Sequence, residues 1–154
     1  MEKEHHYKLK VNWYGATDAG NENLRTYDRS HSVSLEGKPE LHLTTDDGTV
    51  GDQSKLNPEE LLVSAVASCH MLSFLYLCSR KKIVITSYED NATGLLIERS
   101  KGKSGIEEVV LNPVFTVADD SMKEKAVEMH HTAHDFCYIA NSVNFEIKCN
   151  PVCL

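Results

Sequence analysis

The sequence has few basic residues for its length. Its 154 residues include 16 lysines and arginines against 23 aspartates and glutamates, which gives a formal net charge of −7 with neutral histidines. Nucleic-acid binding depends on basic side chains that neutralise phosphates, so this composition argues against a nucleic-acid partner. We interpret the two short basic clusters, SRKK at 79–82 and RSKGKSG at 99–105, as solvated turns.

The sequence also lacks an apolar run in its first ten residues, MEKEHHYKLK, so we predict no secretory signal. The longest apolar segment, 61–78, is only at the lower limit of the about 20 residues that a membrane span needs. It contains Ser64, Ser68, His70 and Ser73, whose polar groups would be costly in lipid. We therefore expect a cytoplasmic protein without a membrane partner, in which this segment is a buried helix.

The number of cysteines is odd, which argues against a framework of structural disulfides. The chain has five: Cys69, Cys78, Cys137, Cys149 and Cys153. Without an export signal we expect mostly reduced thiols. Any disulfide in such a protein should be transient and part of a reaction.

The alternation of apolar and polar residues predicts several strands and two helices. The predicted strands are 7–14, a hairpin of 31–35 and 40–45, then 83–89, 93–98, 106–117 and 142–148, followed by an irregular tail. Pro113 within 106–117 predicts a bulge or a sheet edge. The fold class that follows is α+β, with antiparallel strands and a single domain over 1–154.

The first predicted helix begins with clear signals. Asn57 is a good N-cap, Pro58 suits the first helical position, and Glu59 and Glu60 suit the positive end of the helix dipole. The helix should run to about Ser79 and is almost wholly apolar. Because a domain of this size covers a helix on one or two sides only, we predict an obligate homodimer with a shared core.

The second predicted helix begins at a possible capping box formed by Ser121 and Glu124. An apolar stripe follows at helical spacing, and Cys137 belongs to it. The stripe consists of Met122, Ala126, Met129, Ala133, Phe136 or Cys137, and Ala140.

Cys69 lies in the middle of the first helix, where a cysteine usually packs as a small apolar residue. A thiol is a useful nucleophile only as a thiolate, and burial alone disfavours that form. Cys69 is roughly 16 Å from the positive helix end, beyond the reach of the dipole. A reactive Cys69 therefore needs a cation from elsewhere; Arg25 and Arg29 are the candidates, and Glu59 or Glu60 could orient the arginine.

The segment NPEELLVSAVASCH resembles the N-P-E-x-L…A-C helix of the OsmC/Ohr family of organic hydroperoxide reductases. The later helix with a second cysteine, the strand after it and the order of strands are similar as well. This resemblance implies an OsmC-like intertwined homodimer, with two long central helices and antiparallel sheets outside. It also implies that Cys69 is the peroxidatic cysteine, Cys137 the resolving one, Glu59 the site glutamate and Arg29 the site arginine, with Arg25 as second choice.

The reaction that the resemblance implies needs no cofactor. A Cys69 thiolate attacks an organic hydroperoxide, releases an alcohol and becomes a sulfenic acid. Cys137 condenses with it to a disulfide, which a dithiol or a lipoylated protein reduces by exchange. An apolar lining that includes Met71, Leu72, Phe74 and Tyr138 would favour peroxides with organic tails.

Two other functions stay open. The first is a stress-associated protein of the same fold that binds a small ligand and has little peroxidase activity. The second is a cysteine acyl hydrolase, which needs a histidine base; His70, the neighbour of Cys69 on a helix, points in the wrong direction. A metal site at His130, His131 and His134 has suitable helical spacing but no supporting motif, so we prefer a polar helix face there.

Overall fold

The structure is a computed structural model that describes residues 2–15 and 17–154. Its residues divide into two compact units, the first ending at Leu61 and the second spanning Leu62–Leu154. Groups of consecutive strands are separated by two long helices, and the sheets are antiparallel or mixed, so the predicted α+β class is confirmed.

The first unit contains a three-stranded antiparallel sheet in the order β1-β2-β3. Its strands are β1 (Lys10–Trp13), β2 (His31–Ser34) and β3 (Leu41–Leu43). The predicted hairpin is confirmed, with Val33 opposite Leu41. The alternation of apolar and polar residues along the first strand would suit a half-buried strand, but all four residues of β1 are exposed in the single chain.

Helix α1 (Pro58–Arg80) begins where the sequence predicts it. The Asn57 side chain accepts a hydrogen bond from the Glu60 backbone N–H at 2.8 Å, and the Glu60 carboxylate accepts one from the Asn57 N–H at 3.0 Å. This reciprocal pair is a capping box, which satisfies two backbone donors that the first turn leaves free. The box fixes the start of the helix that carries Cys69.

The second unit contains two three-stranded mixed sheets. One sheet has the order β4-β7-β9 and the other β5-β6-β8. The strands are β4 (Ile85–Asp90), β5 (Thr93–Ile97), β6 (Gly105–Leu111), β7 (Pro113–Val117), β8 (Glu146–Cys149) and β9 (Val152–Cys153). The pairs β6·β8 and β7·β9 are parallel and the other pairs are antiparallel.

The predicted single strand over 106–117 is in fact two strands in different sheets. It is interrupted at Asn112, and Pro113 is the first residue of β7. A proline has no backbone N–H to donate, so it is tolerated at the start of a strand. Asp90 accepts a hydrogen bond from the Asn112 N–H at 2.7 Å. This bond fixes the residue at which the chain passes from one sheet to the other.

The predicted start and end of the second helix need correction. Asp119, not Ser121, is the capping residue: its carboxylate accepts from the Ser121 N–H and begins a 3-10 turn. Helix α2 (Lys123–Phe136) follows without a side-chain cap. It ends before Cys137, and Ala140 lies in a separate 3-10 turn.

The prediction of an irregular tail is also wrong, because Cys149 ends β8 and Val152–Cys153 form β9. The core of the second unit consists of two buried clusters, which share helix α1. One surrounds Phe74, Cys78 and Phe115, and the other surrounds Val66 and Val109.

Helix α1 is long and apolar enough to cross a membrane by length and composition alone. Of the 18 consecutive residues that form its most apolar stretch, 28% are buried within the chain. Leu72 and Tyr76, one helical turn apart, are 62% and 55% exposed. The predicted complete burial of this helix is therefore not achieved within one chain.

Candidate active site

Two cysteines predicted to react together lie at different kinds of position. Cys69 is in the middle of α1 and is half-buried. Cys137 is fully buried and forms the C-cap of α2, with extended backbone dihedral angles. The Cys137 Sγ atom accepts a hydrogen bond from the Ala140 N–H at 3.4 Å, so the turn after α2 fixes its direction.

The structure brings the thiols of Cys69 and Cys137 together. Burial, and next the side-chain hydrogen bond with Cys69, raise the pKa of Cys137 from 9.0 to about 11. The Cys69 side chain therefore lies close enough to the Cys137 thiol to affect its protonation. The two side chains are brought together although they are 68 positions apart in the sequence.

Arg29 is half-buried and firmly held in the loop before β2. Its guanidinium donates to the carbonyls of Tyr27 and Leu24, each at 2.8 Å, and lies 3.9 Å from the centre of the Tyr27 ring. Arg25 is exposed and offers no comparable anchoring. Between the two predicted candidates, Arg29 therefore has the more defined position.

Glu59 is half-buried in the first turn of α1, whereas Glu60 is exposed and occupied by the capping box. Among the ion pairs of the residues 2–15 and 17–154, none joins Glu59 to Arg29. Arg29 instead helps to lower the pKa of Asp47, after the larger effect of the hydrogen bonds from Thr49. The predicted Arg29–Glu59 pair stays a prediction.

The predicted apolar lining divides into accessible and inaccessible residues. Phe74 has 0% exposure and packs against Phe115 in the core, so it cannot contact a substrate. Leu72 and Tyr138 are exposed, and Met71 is half-buried. In the single chain these three residues are therefore accessible, whereas Phe74 is not.

A second polar cluster, which the sequence did not predict, consists of His70, His130 and Cys149. The His70 Nε2 and His130 Nδ1 atoms are 2.9 Å apart. Burial lowers the pKa of His70 to about 4 and that of His130 to about 3. Burial also raises the pKa of Cys149 to about 12. All three groups are therefore uncharged at neutral pH in the absence of a bound ion.

One sequence signal points to this cluster. The alternation Val143, Phe145, Ile147 continues to Cys149, which places that thiol on the inner side of the strand. The helical spacing of His130, His131 and His134 did not identify the residues that lie together. His130 contacts His70 and Cys149, while His131 is exposed. Helical spacing alone could not show that a buried partner would come from another helix.

The family assignment rests on a match over most of the chain. Residues 51–151 match the family model described as OsmC-like protein. The chain belongs to the OsmC-like family. This OsmC-like chain is 28% identical over 131 residues to the organic hydroperoxide resistance protein OhrB of Bacillus subtilis; the match covers 75% of this chain and 92% of that protein.

Solved structures agree with this assignment. An OsmC-like protein of unknown function from Vibrio cholerae has a TM-score of 0.86 and 30% identity, with 97% of this chain and 100% of that chain covered. An organic hydroperoxide resistance protein from Elizabethkingia anophelis shares the fold, with a TM-score of 0.71 at 20% identity and coverage of 99% and 100%. The resemblance in the helix with Cys69 is thus confirmed at the level of family and fold.

Proposed function

We propose that this OsmC-like protein is a thiol peroxidase that reduces organic hydroperoxides to alcohols. The observation that carries the proposal is that the Cys69 and Cys137 side chains lie close enough to interact. A peroxidase of this type needs one accessible sulfur to attack and a second to form a disulfide with it. The half-buried Cys69 and the buried Cys137 meet these two requirements. The name of the Bacillus subtilis relative supports the substrate class.

The proposed reaction has three steps: oxidation of Cys69, disulfide formation and reduction of the disulfide. The Cys69 thiolate attacks one oxygen of R–O–O–H, the O–O bond breaks, and the leaving alkoxide takes a proton to become R–OH. Cys69 is then a sulfenic acid, which condenses with the Cys137 thiol to a disulfide and water. An external dithiol or a lipoylated protein reduces the disulfide by thiol exchange and is itself oxidised.

The Cys137 thiol is suited to the second step for a physical reason. Burial keeps it protonated while the peroxide reacts, so Cys69 is the only attacking sulfur of the pair. It already lies near the sulfur that will carry the sulfenic oxygen, so the second thiol needed for a disulfide is at hand.

We propose that Arg29 supplies the positive charge that a Cys69 thiolate needs. The two carbonyls that it contacts use two of its five N–H donors, and the remaining donors can bind a sulfur anion. Glu59 is the proposed partner that orients this guanidinium. Arg29 is preferred over Arg25 because its side chain is already fixed.

We also propose that the protein acts as a homodimer. Within one chain, the apolar residues Leu72 and Tyr76 on α1 and Val11 and Trp13 on β1 are exposed. Large exposed apolar faces mark surfaces that another chain covers. A second copy would remove both faces from water and provide the shared core that the sequence predicts.

A thiol count tests the peroxidase function. One equivalent of cumene hydroperoxide should remove two thiols per chain, and mass spectrometry should locate a Cys69–Cys137 disulfide. Cys69→Ser should abolish the loss, Cys137→Ser should leave a trapped sulfenic acid, and Cys78→Ser should behave as wild type.

The rate of peroxide consumption tests the arginine. Arg29→Lys should slow it at least about tenfold because lysine lacks the planar set of N–H donors of a guanidinium, whereas Arg25→Lys should not.

Two outcomes would contradict the proposal. A ligand-binding protein would lose thiols slowly and without preference for Cys69. An acyl hydrolase would lose no thiols but would hydrolyse thioesters or esters in a Cys69-dependent manner. Equal rates with hydrogen peroxide and cumene hydroperoxide would remove the preference for organic substrates.

A further inference from the structure

Three side chains that can bind a metal ion converge in the second unit, and none of them belongs to the Cys69–Cys137 pair. They come from three different elements: His70 from α1, His130 from α2 and Cys149 from the end of β8. The Cys149 Sγ atom is 3.6 Å from His70 Nε2 and 3.8 Å from His130 Nδ1. We propose that His70, His130 and Cys149 form a zinc site that joins these three elements.

The distances between the three atoms fit a tetrahedral zinc ion. With zinc–nitrogen bonds of about 2.0–2.1 Å and a zinc–sulfur bond of about 2.3 Å, nitrogen and sulfur ligands are about 3.6 Å apart and two nitrogens about 3.4 Å. The two sulfur–nitrogen distances match this value. The nitrogens, 2.9 Å apart, need to separate by about 0.5 Å, which small rotations of the rings provide.

The histidine rings are held in place by aromatic neighbours. The Phe74 ring stacks on His130 with 3.9 Å between centroids, and the His70 and His130 rings are within 15° of parallel. His70 and His130 are 1% and 2% exposed. Preorganised imidazoles, buried and neutral, are the form that a metal ion binds.

A carboxyl group also lies near Cys149. Asp90 accepts a hydrogen bond from the N–H of Asn112, and the neighbouring Leu111 is paired with Cys149 between β6 and β8. The Asp90 Oδ1 atom accepts from Asn112, but its Oδ2 atom is buried without a hydrogen-bond partner among the described residues. Zinc would balance the Cys149 thiolate and the Asp90 carboxylate, and Asp90 would hold a water molecule at the fourth position.

Buried polar atoms without partners are concentrated in this region. In the part of the chain that the structure describes, these atoms are His70 Nδ1, His130 Nε2, Tyr88 Oη and Asp90 Oδ2. The Tyr88 ring lies beside the cluster, with its centroid 6.5 Å from that of the His130 ring. Buried polar groups without partners are uncommon, and Asp90 Oδ2 is the free acceptor among them; the two histidine atoms are the ring nitrogens opposite the proposed zinc ligands.

Zinc binding has a defined proton balance. The Cys149 thiol releases its proton to solvent and the two imidazoles enter without a change of protonation, so each zinc ion displaces about one proton. No oxidation or reduction takes place. The site is independent of the proposed peroxidase reaction, which uses Cys69 and Cys137.

The test is a titration of the metal-free, untagged full chain with zinc(II) against a coloured competing chelator. We expect one zinc ion per chain. Cys149→Ala and His130→Ala should lower the affinity at least about 100-fold, and Asp90→Asn about 10- to 100-fold. Cys153→Ser, which changes another cysteine near the end of the chain, and the double variant Cys69→Ser/Cys137→Ser should keep wild-type affinity.

A second measurement avoids the risk that a core variant fails to fold. Zinc should protect Cys149 of the wild-type chain from alkylation, as mapped by mass spectrometry, and cobalt(II) should give a thiolate charge-transfer band. The proposal is overturned if the wild type binds no zinc, if Cys149 is not protected, or if Cys149→Ala binds as tightly as wild type. Loss of zinc in the Cys69→Ser/Cys137→Ser variant would place the ion at the redox pair and overturn it as well.

Discussion

At the scale of single residues, the five cysteines differ mainly in what surrounds each sulfur. Cys69 is half-buried beside Cys137, Cys149 contacts two histidines, and Cys78 is fully buried in an apolar cluster. Burial raises the pKa of Cys78 from 9.0 to about 11. An inert thiol and a proposed redox-active thiol thus lie on the same helix.

Cys78 should make stability depend on alkaline pH. Its folded pKa is higher than its unfolded pKa, so its contribution is complete below about pH 9 and is lost as the pH rises through about 11. At pH 10 the loss should be about 1 kcal/mol. Urea unfolding at pH 8 and pH 10 measures it: the wild type should lose about 1 kcal/mol more than Cys78→Ala. An equal loss in both proteins would show that Cys78 does not contribute.

The residues of the candidate active site were predictable to different degrees. Cys69 and Cys137 could be selected because both lie in or next to predicted core helices, and the structure places them side by side. The contacts of His70 with His130 and Cys149 could not be selected, because 60 and 79 positions separate these residues and no local pattern joins them. Long-range contacts of this kind depend on how helices and strands pack, which local periodicity does not specify.

At the scale of secondary structure, the sequence signals were reliable where side chains act on their own backbone. Asn57 and Pro58 predicted the start of α1, and the structure adds the reciprocal contact of Glu60. The break at Asn112 and the short strand β9 were not predictable. Both depend on which sheet each segment joins, and a two-residue strand has no periodicity to read.

The capping box of α1 should contribute measurably to stability. Asn57→Ala removes the side-chain acceptor of the Glu60 N–H and should lower the free energy of unfolding by about 1 kcal/mol. Glu60→Gln should keep most of the stability, because glutamine also completes a capping box, whereas Glu60→Ala should not. Urea denaturation followed by circular dichroism measures these differences. Equal stability of Glu60→Gln and Glu60→Ala would show that the return contact contributes nothing.

At the scale of the whole molecule, the exposed apolar side of α1 is the main feature to explain. Four exposed residues lie on this side at every fourth position: Ser64, Ser68, Leu72 and Tyr76. A repeat of this spacing forms one continuous stripe along a helix. Such a stripe is suited to packing against the same helix of a second chain.

The dimer should depend on this stripe. Light scattering after size-exclusion chromatography should give twice the mass of one 17.3 kDa chain. Leu72→Asp places a charge in the proposed contact and should yield monomers at micromolar concentration. Leu24→Asp changes an equally apolar exposed residue, 74% accessible on a loop, and should remain dimeric. A monomeric wild type would refute the shared core.

The parallel pairs β6·β8 and β7·β9 affect how the chain is made. Each joins residues that lie about 40 positions apart, on either side of α2. Neither sheet can be completed until residues 146–153 have left the ribosome, long after α1 has been synthesised. During that interval the most apolar helix of the protein lacks much of its eventual cover, so the nascent chain should depend on chaperones more than its length suggests.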